Sequence, residues 1–196
     1  MKKFRIKPSP VLISTFWLMT FGIILGLLTR HTAYTPIIGE ITSHAGIWIL
    51  LATVIATHSS TPKTAVIHVF SIFTAMLVSY YLYSLLMIHF LSIEFFLNWA
   101  IFTGTVSIGA YATWYSRGNG WIASFASAIP ISVLVFAGLD FFQTQSIFYS
   151  FQLLAAIFLF TILPQSEFDR LRTLLITIIY VIILCYTGLL NPFLLR

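Results

Sequence analysis

The chain has 196 residues, of which 59% are hydrophobic and 8% charged; its formal net charge is +5 and its mean hydropathy +0.99. A water-soluble domain of this size needs a polar surface that this composition does not supply, which excludes soluble enzymes and nucleic-acid-binding modules. A single cysteine, Cys185, excludes an intrachain disulfide and most thiolate metal sites.

The pattern predicts an all-α polytopic transmembrane helix bundle, one domain over residues 1–196. A crossing needs about 20 apolar residues. The first run, residues 11–29, follows the basic segment Met1-Lys2-Lys3-Phe4-Arg5-Ile6-Lys7. Its apolar stretch is long and no small-x-small cleavage site precedes Arg30, so it reads as a retained helix. It carries Gly22-xxx-Gly26, a spacing that lets two helices approach closely, within the chain or across to a partner.

The second run, residues 47–57, is only 11 residues long. Basic residues decide its status. If it spans, Lys2, Lys3, Arg5, Lys7, Lys63, Arg117, Arg170 and Arg172 share one side, against Arg30 and Arg196, so the ten divide eight to two. If it does not, they divide five to five. Cytoplasmic loops carry the excess of Lys and Arg, which favours seven spans with the N-terminus inside and the C-terminus outside. Sufficient length then requires the helix to start near residue 37, giving a span over 37–57. Glu40 and His44 would lie on one face in the outer half of the bilayer.

The third span is expected over 64–88 and the fourth over 95–115. The fifth covers 121–141, the sixth 147–163 and the seventh 173–190. Helix four reads Thr103-Gly104-Thr105-Val106-Ser107-Ile108-Gly109-Ala110, and helix five holds Ala123, Ser124, Ala126, Ser127 and Ala128 before Pro130. Small and hydroxylated residues suit close helix contacts. Pro130 removes a backbone donor, and Gly104 and Pro130 are expected at packing contacts or a hinge. Trp114, Tyr115 and Trp121 flank the loop around Arg117 as an aromatic belt would, and Tyr80, Tyr81 and Tyr83 suit the opposite belt. His68, Asn98 and Gln152 are expected to bond to neighbouring helices.

An ionisable residue within the membrane is costly and marks a site. This topology gathers Glu40, His44, Arg30, His31, Glu94, His89 and Asp140 at the outer side. Glu40, His44, Arg30, His31 and Asp140 are the expected binding residues, for a small polar solute or a proton. Glu94 and His89 are better explained as helix ends in water, whereas for Glu40 and His44 that explanation and a binding role weigh about evenly. No HExxH or HxxxH spacing supports a metal, no catalytic residue is assigned and no cofactor is expected.

Gly46-Ile47-Trp48-Ile49-Leu50-Leu51-Ala52, followed by Ser79-Tyr80-Tyr81, resembles a pattern in small bacterial integral membrane proteins of a family with no assigned function. The resemblance implies a bacterial cytoplasmic membrane protein. In size the chain is also similar to the substrate-binding component of energy-coupling-factor vitamin transporters. It departs from them in its seventh span, its external C-terminus, and a glycine pair where an alanine pair is usual. The expected function is a transporter or its membrane-embedded solute-binding component. The alternative is an accessory or immunity protein docking another membrane protein. An enzyme using Glu40 and His44 as an acid–base pair lacks an accompanying nucleophile. Expected partners are the lipid bilayer, another membrane protein or transporter subunit, and a small polar solute or proton, but no nucleic acid.

Overall fold

The computed structural model describes residues 10–33, 35, 39, 41–42, 44–89, 92–140, 142 and 147–187. Among these residues the chain is all-α, with seven principal helices and no strand. They are α1 (Pro10–Thr32), α2 (Ala45–His58), α3 (Pro62–Tyr83), α4 (Ile93–Trp114), α5 (Trp121–Gly138), α6 (Ile147–Ile162) and α7 (Glu167–Thr187). A π-helical turn, Ser84–Ile88, prolongs α3, and a 3₁₀ turn, Tyr115–Arg117, ends α4.

Local chemistry sets several boundaries. Thr61 and Thr64 form a capping box at the start of α3, and Pro62 sits at the first helical position, where a missing N–H costs nothing. Ser92 accepts from the Phe95 amide to open α4. The π turn stops at His89, whose φ of 54° is left-handed. Gly120, with φ of 89°, turns the chain into α5, a conformation that glycine adopts without steric penalty.

Four stretches are long and apolar enough to cross a membrane: Pro10–Thr32, Pro62–Met87, Ile93–Arg117 and Trp121–Gly138. Ala45–His58 and Tyr149–Ile162 are shorter apolar helices. The bundle wears its hydrophobic residues outside as well as inside. Phe16, Trp17, Ile108 and Ile122 are all more than 60% exposed. In water such a surface would drive association, whereas lipid covers it without cost.

The core is built on α3. Ala65, Val69, Ile72 and Phe73 are almost fully enclosed, with α1 on one side, α4 on another and α2 alongside. A second group forms where α6 and α7 pack on α5. The helix α2 joins the two, touching α3, α4, α5 and α6.

The expected start of the second helix near residue 37 is corrected. His44 has extended backbone (φ −87°, ψ 136°), so α2 begins at Ala45. Helical residues Gly39, Ile41 and Thr42 lie before this break. The indole N–H of Trp48 donates to the Thr42 carbonyl at 2.9 Å. In an unbroken helix that carbonyl would serve the Gly46 amide. The shared helix face expected for Glu40 and His44 is therefore not present on α2, and Glu40 itself lies outside the described residues.

Gly22 and Gly26 lie in the α1–α3 contact. The two helices run parallel, with Ser14 bonded to His68 at 2.9 Å and Arg30 reaching Tyr80. A Cβ on Gly22 would collide with the Ile72 carbonyl, and one on Gly26 with Ser79 and the Met76 carbonyl. Ser79 exploits the approach by donating to the Ile23 carbonyl across the helices at 3.2 Å. Gly104 is different, because a Cβ there would meet no atom within 4 Å. Pro130 is buried within α5.

Gly22→Ala and Gly26→Ala should each destabilise the bundle by about 1–3 kcal/mol, since an inserted methyl forces the backbones apart. Gly104→Ala should cost nothing and gain up to about 1 kcal/mol in helix propensity. Thermal melting in detergent checks the contrast. Equal melting temperatures for all three variants would contradict this contact.

Candidate functional site

At the end where α1, α3 and α5 finish and α2, α4 and α6 begin, the helices enclose a cavity of about 340 Å³. Six aromatic rings contribute to its walls. Trp48 comes from α2, Tyr80 and Tyr81 from α3, and Phe95, Trp99 and Phe102 from α4. Positions 95, 98, 99, 102 and 103 recur at helical spacing, so one stripe of α4 supplies a whole wall. Asn98 and Thr103 on that stripe, with Thr29 and Thr42, add polar atoms. Tyr81 is wedged between the rings of Tyr80 and Phe96, each 5.1 Å away. Among the described residues, none of the lining side chains is charged.

The described ionisable residues expected to form the site are not among those lining this cavity. The Arg30 guanidinium lies over the Tyr80 ring at 5.4 Å and backs the wall. His44 precedes the lining residue Ala45, and its ring meets Tyr149 edge-on at 5.6 Å. His31 is exposed at the end of α1, and Asp140 is half-buried after α5. Glu94 and His89 are exposed. Glu40 lies outside the described residues, although its neighbour Gly39 lines the cavity. No group of three or more His, Cys, Asp or Glu capable of holding a metal occurs among the described residues.

The lining was legible in part. Asn98 stood out as a polar residue in an apolar run, and Tyr80 and Tyr81 as a pair. Trp48, Trp99 and Phe102 did not, because an aromatic residue near a helix end suits an interface belt equally well. The α4 spacing of Phe95, Asn98, Trp99 and Phe102 was the available signal. It places three rings and an amide on one face.

The opposite end is closed by polar contacts. The Ser59 carbonyl accepts from Trp114 Nε1 and Arg117 Nη1, both at 2.9 Å. His68 bridges Ser14 and Ser59 through its two ring nitrogens, joining α1 and α3 to the end of α2. Asp169 is 4% exposed, and its carboxylate accepts from the Gly120 amide at 3.0 Å and the Ser166 hydroxyl at 2.8 Å. It thereby ties the start of α5 to the start of α7. Arg172 reaches Asp169 at 3.5 Å and lies over the Trp121 ring at 4.9 Å. Gln152, buried on α6, packs against Gly46 of α2.

Fold and site together define an all-α protein with helices fit to cross a membrane and an aromatic-walled chamber at one end. The sequence profile of a family of unknown function, DUF6518, matches residues 5–193, and the chain belongs to that family. No curated protein and no solved structure matches it. The expectation of a family without an assigned function therefore holds.

The buried carboxylate yields a stability prediction. Asp169→Ala should cost about 1–3 kcal/mol, because it leaves the Gly120 amide and the α7 cap without their acceptor. Glu167→Ala should change stability by less than about 0.5 kcal/mol, since its ion pair with Arg170 is solvent-exposed. Chemical denaturation of the two variants compares them directly. Equal losses would remove the clamp assigned to Asp169.

Proposed function

We propose that the chain is a membrane-embedded solute-binding protein, acting as a small transporter or as the binding component of one. The observation that carries this reading is the chamber of about 340 Å³ walled by Trp48, Tyr80, Tyr81, Phe95 and Trp99, with no charged residue among its described lining. Apolar walls with a few placed polar groups are the usual construction of small-molecule sites. The occupant that suits them is an uncharged molecule with an apolar ring and a hydrogen-bonding edge. The ring stacks on the aromatic walls, while the edge meets Asn98, Thr103 or a tyrosine hydroxyl. The docking alternative is weaker, because α3 already fills the Gly22–Gly26 face it would use.

The orientation follows from charge. Lys63, Arg117, Arg170 and Arg172 lie at the end opposite the chamber, and Arg30 lies beside it. The rule that basic ends face the cytoplasm supports seven crossings of a bacterial cytoplasmic membrane, with the chamber opening outward.

Binding is tested with indole and phenol as neutral ring probes on protein in nanodiscs, read by isothermal titration calorimetry against empty nanodiscs. A saturable change is expected. Asn98→Leu should weaken it roughly tenfold, the equivalent of about 1.4 kcal/mol for a lost polar anchor, without lowering the melting temperature. The absence of any saturable response to either probe at millimolar concentration would remove the binding reading.

Orientation is tested separately in a Cys185→Ser background. Lys63→Cys should react with a membrane-impermeant maleimide only after cells are opened, and Glu94→Cys should react in intact cells. Labelling of position 63 from outside would reverse the topology.

A further inference from the structure

A second cavity of about 200 Å³ lies below the first, between α2, α4 and α5. On α4 its lining begins at Phe102 and continues through Val106, Gly109 and Ala110 to Thr113. On α2 the chamber ends at Trp48 and the second cavity begins at Ile49. Phe102 is the residue common to both linings. From Phe95 to Thr113 the two follow one face of α4 for about 27 Å, close to the roughly 30 Å of a bilayer core.

The partition is a layer of rings. Phe73 meets Trp48 and Phe102 edge-on, each at 6.3 Å, and Phe102 meets Trp99 at 5.3 Å. Phe102 is 9% exposed. The exposed lining residues of the two cavities lie at different heights. Phe95 is exposed at the mouth of the chamber, at the end of the bundle. Thr105, which lines the lower cavity, is exposed on the flank at mid-height of α4. Among the described residues no charged side chain lines the lower cavity, and Thr53, Thr105 and Thr113 supply its polar atoms.

Building on the binding reading above, we infer that the two cavities are halves of one path for an uncharged solute, with Phe102 as its shutter. The solute enters the chamber from the aqueous end. It is stopped by the Phe102 ring. When that ring turns aside, it reaches an opening between α4 and α5 at the depth of the hydrocarbon core. A path without charges along its length passes neutral, amphipathic molecules and rejects ions, because an unpaired charge has no compensating partner there. A ring at a hydrophobic constriction also keeps water from running through.

The test uses cysteine reactivity in the full chain, with Cys185→Ser as background and N-(2-hydroxyethyl)maleimide as probe. This reagent is small, uncharged and poorly soluble in lipid. Thr103→Cys samples the chamber, Val106→Cys the lower cavity, and Ile108→Cys the lipid-facing surface. With Phe102 in place, position 103 should react and positions 106 and 108 should not. Adding Phe102→Ala should speed reaction at 106 by about tenfold, as water and reagent pass the opened constriction, and leave 108 unreactive. Phe102→Leu, which keeps more of the packing against Phe73 and Trp99, should give a smaller increase in the same direction. It also serves if the alanine variant does not fold, as judged by helical circular dichroism. Equal reactivity at 106 with and without the ring would show that Phe102 is no partition. A reactive 103 with an inert 106 in both folded variants would show that the cavities are not joined. Either result overturns the path and leaves the binding reading standing, whereas an inert position 103 throughout would sink both.

Discussion

The contact on which the centre of this molecule depends is the ring of Phe73. It is 1% exposed and meets Trp48 from α2 and Phe102 from α4. Three helices are held at one level by rings whose edges meet faces, an arrangement worth about 0.5–1.5 kcal/mol per pair beyond the area it buries. Large flat side chains packed this way leave spaces above and below, because neighbouring small residues do not fill them. Ala45 lies on the upper side, and Ala52, Gly109 and Ala110 on the lower. The cavities and the partition between them thus come from a single packing layer.

The two ends of the bundle are built on different chemistry. At one end a backbone carbonyl, a carboxylate and a histidine each take bonds from two or more elements. The Ser59 carbonyl, Asp169 and His68 together link every principal helix except α6. Basic side chains complete that end and fix it near water. At the other end aromatic rings meet, and the charged residues stand behind them or outside. One end is fastened by directional bonds and the other by shape. An opening of the second kind separates few hydrogen bonds when it admits a ligand.

The seven apolar runs were plain in the sequence because span length and hydropathy are local properties. All seven appear as helices, although only four are long and apolar enough to satisfy a span criterion on their own. Boundaries were less legible where tertiary contacts override composition. A run needing more length suggested a helix from residue 37, yet the Trp48 indole takes the Thr42 carbonyl and the helix starts at Ala45. The seventh helix begins at Glu167, earlier than the apolar run at 173, because Ser166 and Asp169 cap it through polar atoms. The site was legible least of all. Ionisable residues draw attention by their rarity, but those described lie around the chamber rather than among its lining. Its walls are aromatic residues whose inward direction depends on which helix lies opposite, and no local pattern encodes that. Gly22 and Gly104 make the same point, since identical residues in similar runs differ entirely in what faces them.

The parallel pairing of α1 with α3 also bears on how the chain comes to be assembled. The partners of α1 lie about fifty positions later; Arg30 and Tyr80 are 50 apart. The intervening helix α2 packs mainly on α3 and α4, so it gives α1 little to hold. During synthesis α1 therefore waits alone in lipid, its glycine notch empty, until α3 emerges. At the other end of the chain α7 joins α5 in the same way, with α6 between them. Both outermost helices make their main contacts with a helix that is not their neighbour in sequence. The order of emergence from the ribosome is thus not the order in which the bundle closes, and the loops after α1 and α6 must let their helices pass over an intervening one.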